Sequence, residues 1–290
     1  MTLAEPITLA VIGGSGVYDM ETLTDVEQRH ISTPFGDPSD AVTIGTLAGR
    51  RVAFLPRHGR GHRLTPTEVN SRANIWALKS LGVERIVSAT ACGSLREPIA
   101  PRHVVIPDQI VDLTRARGPY TFFGDGLVVH IGFEEPYCPH LSETLYQAVA
   151  ASGGTVHRGG TFITIEGPRF SSRAESHIFR GWGCDIIGMT AMPEAQLARE
   201  AEMCYAAMAH VTDYDVWHQT EEAVNIEMLI ANLQANASLA KRAIAHLAAH
   251  LTDERPCACG SALATAILTQ PQAITDDVKQ RYSLLIQKYF

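Results

Sequence analysis

Short apolar runs rich in β-branched residues recur along this chain, separated by stretches with helical spacing. That alternation is the pattern of an α/β domain, in which helices pack on a central sheet. The runs at 7–12, 85–89, 103–106, 161–165, 185–188 and 203–211 read as strands, and 41–46 with 51–55 read as a pair joined through Gly49. Thr65 and Glu68 have capping-box spacing and Pro66 stands at a first helical position, which predicts a helix from there to Leu81, stopped at Gly82. The clearest helix is 226–247, where Ile226, Leu229, Ile230, Leu233, Leu239, Ala240, Ala243, Ile244 and Leu247 recur at three-to-four spacing. Such a stripe suits packing on a sheet. With 290 residues, 46% of them hydrophobic, the chain can bury a sizeable core. It carries no internal repeat or long linker, so the expectation is one domain over 1–252 and a C-terminal helical extension, 253–290, packed on the same domain.

The formal net charge of −7 argues against general binding to nucleic acid or a membrane surface, yet leaves room for a local anion pocket. No apolar stretch approaches the ~20 residues of a membrane span, and the segment from Met1 to Ala10 lacks the regions of a signal peptide. A cytoplasmic location is expected. There the six cysteines should mostly be reduced. Cys257 and Cys259 form a C-x-C pair before Gly260, too few ligands for a zinc site with two C-x-x-C knuckles, so no metal is expected. A surface thiol pair is the plain reading, and a disulfide, within the pair or to another cysteine, is the alternative.

Several strand ends carry polar groups. The first strand runs into Gly13, Gly14, Ser15 and Gly16, a loop whose backbone N–H groups can approach an anion. It is not a dinucleotide fingerprint, because Asp19 stands where the third glycine belongs, and no phosphate-loop lysine motif is present. The densest basic cluster, from Arg57 and His58 to Arg63, follows the strand at 51–55. Such a cluster is either a solvated face or an anion site, since arginine's forked donors match phosphate oxygens. Thr90 and Ala91 follow another strand beside Cys92 and Gly93, and Thr190 follows the strand at 185–188. Cys92 as a nucleophile beside His58 would need a pairing that sequence does not reveal.

The run at 203–211 ends in Thr212, Asp213, Tyr214 and Asp215. Strand side chains alternate with period two, so the two carboxylates are expected on one side, just past the sheet. Taken alone, an acidic turn reads first as a solvated loop. Ser15, Arg57, Thr90, Thr190 and Asp213 nevertheless all sit just past predicted strand ends, where open α/β sheets bind ligands. One pocket explains the coincidence better than five accidents.

At these residues the chain resembles the trimeric purine nucleoside phosphorylase family, and within it the methylthioadenosine-specific branch. The likeness runs from Val11 to about Ala235 and rests on long motifs: VIGGSG from Val11, STPFGDPSD from Ser32, RHGRGHRLTP from Arg57, NIWALKSLG from Asn74, TACGSLRE from Thr90, TIEGPRFSSRAES from Thr164, GMTAMPE from Gly188 and TDYDVW from Thr212. Little of it continues after Asp253. The resemblance implies a mixed central sheet flanked by helices and a homotrimer, with pairing of trimers into hexamers left open. It also implies an enzyme that binds phosphate and nucleoside side by side. Ser15, Arg57, His58, Thr90, Ala91 and Thr190 match phosphate-binding positions, Ser15 replacing the threonine common there. Met189 matches a position along the ribose, Phe170 and Ser171 positions around the base, and His130 a residue that reaches a neighbouring subunit's site. Ile226, Leu229 and Ile230 fall where the family lines a methylthio pocket, although at helical spacing they also read as core. The implied reaction is phosphorolysis of S-methyl-5'-thioadenosine, with inorganic phosphate as co-substrate and no metal or organic cofactor. Asp213 is then the expected general acid, which requires a raised pKa, and Asp215 the ionised acceptor for the 6-amino group.

Overall fold

A computed structural model describes residues 6–14, 16–17, 20–218 and 226–290, and for 226–231 and 233 the backbone alone. The strands are β1 (Leu9–Gly13), β2 (Thr24–Arg29), β3 (Val42–Leu47), β4 (Arg50–Pro56), β5 (Arg85–Ser94), β6 (Val104–Ile106), β7 (Gln109–Asp112), β8 (Val156–Arg158), β9 (Thr161–Thr164), β10 (Ile186–Gly188) and β11 (Cys204–Asp213). The helices are α1 (Ser71–Ser80), α2 (Pro139–Ala151), α3 (Arg173–Gly181), α4 (Ala191–Glu200), α5 (Ile226–His250), α6 (Asp276–Arg281) and α7 (Ser283–Ile286). One mixed sheet contains all eleven strands, in the order β2-β3-β4-β1-β5-β10-β9-β7 with β11, β6 and β8 branching from β5.

Four neighbours at its centre, β4, β1, β5 and β11, are parallel, so their C-terminal ends open on one side of the molecule. β5 is the pivot because it outruns β1. Its first five residues pair with β1, and past that strand's end Gly93 and Ser94 take β10 as an antiparallel neighbour. β10 therefore runs back towards Thr90 and delivers Thr190 to the same place from the opposite direction. The strands at the centre are largely apolar and buried along their middles because helices cover both faces. α2 and α5 pack on one face through Leu141, Leu145, Ala240 and Ile244, with Val11, Phe54 and Met208 beneath them. α1 and α4 cover the other through Ile75, Leu78, Leu197 and Ala198, against Ile12, Leu55 and Tyr205.

The extension after Leu251 belongs to this second core: Leu263, Ile274, Tyr282, Leu285 and Ile286 join the cluster of Ile12 and Leu55. Its start is held by Arg85, a buried cation whose Nη2 donates to the carbonyls of Thr252, Asp253 and Glu254 at 3.1, 2.9 and 2.8 Å.

Three local expectations change. Thr65 and Glu68 make only half of the expected capping box: Thr65 N and Oγ1 both donate to Glu68 Oε2 at 2.9 and 2.7 Å, while Glu68 N donates to the Thr65 carbonyl at 3.0 Å and closes an isolated turn. α1 starts later, capped by Asn70, whose Oδ1 accepts from Ala73 N at 3.1 Å. β2 (TDVEQR) escapes sequence reading because it is an exposed edge strand with little apolar patterning. The C-x-C pair is not a surface feature, since Cys259 is buried and Cys257 half-buried.

Candidate active site

The C-terminal ends of the central strands form the floor of a cavity of about 680 Å³, whose lining includes Gly14, Arg57, His58, Thr90, Ala91, Phe170, Ser171, Met189, Thr190, Asp213 and Asp215. At one end, Thr90 and Thr190 place their hydroxyl oxygens 2.7 Å apart, the direct result of β10 running back along β5. The glycine loop closes over this end: Gly16, at φ +95°, lies so near α5 that a Cβ there would stand 3.3 Å from Ala237. Ser15 itself lies outside the described residues.

Arg57 is buried beneath the two threonines and is largely engaged by the protein. Its Nε and Nη2 donate to Glu194 Oε1 and Oε2 at 2.5 and 3.1 Å, Nη2 also reaches Ser88 Oγ at 2.7 Å, and Nη1 donates to Ala89 O at 3.2 Å. Burial opposes the charge, yet the Glu194 carboxylate more than offsets that and leaves the guanidinium pKa raised. Of its five donors about one N–H, on Nη1, is left for a ligand. His58 donates Nδ1–H to Leu64 O at 2.9 Å. Burial, followed by the neighbouring Arg57 charge, drives its pKa down to about 4, so the ring is neutral and Nε2 is an acceptor.

The other end is acidic. β11 does not stop at Val211 but continues to Asp213, and its register against β5 slips between Val211 and Asp213. That slip, with Asp215 at φ +51°, replaces the simple period-two alternation expected from sequence. The carboxylates still line one cavity because Gly93 has no side chain: a Cβ there would meet Asp213 Oδ1 at 3.0 Å and Asp215 Cβ at 3.3 Å. Asp213 accepts on both oxygens, from Thr212 Oγ1 at 2.7 Å and Asp215 N at 2.8 Å. Asp215 Oδ2 is buried without a partner. Burial, with repulsion from Asp213 adding to it, outweighs the opposing pull of Ser176 and the Val216 backbone and raises the Asp215 carboxyl. The raised group is thus the one that sequence reasoning assigned the ionised role.

Among the remaining expected residues, Met189 lines the cavity next to Thr190 and Gly167, at φ +69°, makes room for it: a Cβ there would lie 2.5 Å from its sulfur. Phe170 projects at the mouth, 71% exposed, and Ser171 is buried with an unpartnered hydroxyl. His130 is exposed on a segment bridged to Ile267 and does not line this chain's cavity. The side chains of Ile226, Leu229 and Ile230 lie outside the described residues; their backbone is the first turn of α5. Cys92 lines the cavity, but burial pushes its thiol well up, which disfavours the thiolate a nucleophile needs.

Three lining or supporting residues escaped the sequence reading. Glu194 neutralises Arg57 and also accepts from Tyr205 Oη at 3.0 Å; an acid in the mostly apolar AMPEAQLA segment is its only signal. His210 lines the cavity from within β11, 4% exposed, both ring nitrogens unpartnered and its pKa pushed by burial to about 4. A lone histidine in an apolar run was the signal there. Arg117 pins the cavity wall by donating to the carbonyls of Ile165, Glu166, Met189 and Met192 at 2.5–2.9 Å.

A model of the phosphorylase superfamily matches residues 8–249. A Geobacter sulfurreducens protein named S-methyl-5'-thioadenosine phosphorylase is 53% identical over 281 residues, 97% of this chain and 98% of its own length. A Chloroflexus aurantiacus protein of the same name is 52% identical over 98% of each chain. Among solved structures, a methylthioadenosine phosphorylase sourced from an antarctic soil metagenomic library superposes with a TM-score of 0.92 at 47% identity, covering 97% of this chain and 99% of its own. The methylthioadenosine phosphorylase of Schistosoma mansoni, in complex with adenine, does so with a TM-score of 0.81 at 34% identity, over 97% and 98%.

Proposed function

Because the chain belongs to the phosphorylase superfamily, we propose that its cavity phosphorolyses S-methyl-5'-thioadenosine to adenine and 5-methylthioribose 1-phosphate. The observation that carries this reading is the polarity of one cavity: hydroxyls and a partly neutralised cation at one end, two carboxyls at the other. Phosphate fits the first end and a purine the second, which leaves the sugar along Met189. A phosphate oxygen forms the bond to the anomeric carbon as the bond to adenine breaks, and the bonding pair leaves with the base. The positive charge that develops on the sugar is stabilised by the phosphate anion held beneath it.

Thr90, Thr190, the backbone around Gly14 and Ala91, and the spare N–H of Arg57 hold the anion, with Ser15 completing the set. Neutral His58 accepts the proton of a phosphate hydroxyl on Nε2. Half-neutralised by Glu194, Arg57 orients the phosphate without a full countercharge that would blunt its nucleophilicity. Asp213 is the general acid that passes a proton to the imidazole-ring nitrogen of the departing base, and solvent restores it once adenine has left. Asp215, whose carboxyl burial raises, accepts from the 6-amino group on its free Oδ2, and that bond favours its ionised form. Inorganic phosphate is the co-substrate, and no step calls on a metal or an organic cofactor.

The same reading takes the chain as a homotrimer, with hexamers as the alternative. His130, exposed outside its own cavity, and Phe170, bare at the mouth, support a neighbour completing the site. No helix among the described residues is long and apolar enough to cross a membrane, and the cytoplasm is the proposed setting. The deciding assay incubates the protein with S-methyl-5'-thioadenosine with and without phosphate and follows free adenine by chromatography. Release that requires phosphate is the expected result; release without it would make the protein a hydrolase.

A further inference from the structure

Far from the cavity, four cysteines distant in sequence meet at one point. Cys138 is the N-cap of α2, Cys204 opens β11, and Cys257 and Cys259 bracket the entry to a short 3-10 turn, Ala258–Ser261. Backbone bonds hold the first two in place, Cys138 N to Tyr205 O and Cys204 N to Glu84 O, each at 2.8 Å. All four Sγ atoms lie within 4.8 Å of one another, and those of Cys204 and Cys257 are 3.4 Å apart. We propose that Cys138, Cys204, Cys257 and Cys259 bind one tetrahedral zinc ion that fastens the C-terminal extension to the sheet.

The distances favour an ion over two disulfides. A tetrahedron with Zn–S bonds of about 2.3 Å has S–S edges of about 3.8 Å, and the four sulfurs, all within 4.8 Å of one another and two of them 3.4 Å apart, are close enough to take up that geometry. Two disulfides need two close pairs, bonded at about 2.05 Å, and place no demand on the distance between the pairs. Here every sulfur is near every other.

The surroundings suit the charge. Four thiolates around Zn²⁺ carry a net charge of −2, and two guanidinium groups face the sulfurs: Arg199 Nη1 donates to Cys259 Sγ at 3.7 Å and Arg255 Nη2 to Cys204 Sγ at 3.6 Å. The thiols release their protons to solvent on binding. The site lies at the first residue of β11, about 30 Å from Asp213 at the strand's last residue by a rise of ~3.3 Å per residue. Its role is therefore structural.

The test is elemental analysis of the full chain, purified without a metal-affinity step and in reductant, then dialysed against equimolar zinc chloride. One zinc per chain is expected, with a shell of four sulfurs at about 2.3 Å by X-ray absorption. Cys204→Ser, and separately Cys257→Ser, should lose the ion and lower the melting temperature. Activity per folded molecule should stay at the wild-type level. A reduced wild-type chain that takes up no zinc overturns the proposal, as does an intact mass about 4 Da low from two disulfides. Both readings come from the wild-type protein, so they hold even if a serine variant fails to fold.

Discussion

The two ends of the cavity handle buried charge in opposite ways. Arg57 is buried with its countercharge built in, its donors spent on Glu194, Ser88 and the Ala89 carbonyl. Asp215 is half-buried with nothing to pair Oδ2, and the cost surfaces as a raised pKa. A largely satisfied ion pair is rigid and keeps only a single donor for what enters; an unpartnered oxygen is improved by the right ligand. The difference explains how one cavity can hold an anion at one end without locking it there and select a hydrogen-bond donor at the other.

Four changes probe that contrast. Asp213→Asn keeps the shape of the acidic end but removes its proton, and turnover should fall by about 10²–10⁴-fold with the urea midpoint unchanged. Unaltered phosphorolysis would remove Asp213 from the chemistry. Glu194→Gln at the other end strands the Arg57 charge, with an expected loss of ~3–5 kcal/mol in urea unfolding and a raised KM for phosphate. A variant as stable as wild type would mean that the pair is not what keeps Arg57 buried. Asp215→Asn supplies a donor where an acceptor stood. The preference for 6-amino over 6-oxo nucleosides, measured as a ratio of kcat/KM, should swing by ~1–3 kcal/mol, about 5- to 150-fold.

The smallest effect lies at His210. Its folded pKa of about 4 is below the ordinary 6.5, so the unfolded chain takes up the proton first on acidification. Its contribution to stability is full above pH 6.5 and is lost as pH falls towards 4. His210→Leu should flatten that part of the stability profile; an unchanged profile would assign the acid sensitivity to His58, shifted to the same value.

Much of this was legible in the chain because it depends on local rules. β1, β3, β4 and the body of β5 follow from β-branched runs, and α5 follows from its apolar stripe. The site was legible as a set of polar strand ends. The route by which those ends meet was not: Thr190 arrives on an antiparallel strand, and Asp213 belongs to a strand whose register slips. Thr65 was misread because a capping box stabilises any first turn, whereas continuation needs the packing that begins at Ala73 and Ile75. Glu194 and His210 were invisible because a lone polar residue in an apolar segment does not reveal whether it faces a cavity or a partner.

By itself the sequence determined the class of fold, the strand ends that carry chemistry and the family to which the chain belongs, since periodicity and motif are properties of neighbours along the backbone. Only the tertiary structure decided which charges are paired. Glu194 beside Arg57 is 137 residues away, and Cys204 beside Cys257 is 53 away. Pairing and desolvation depend on distance in space, and through them the structure set which end of the cavity is already satisfied and which waits for a ligand.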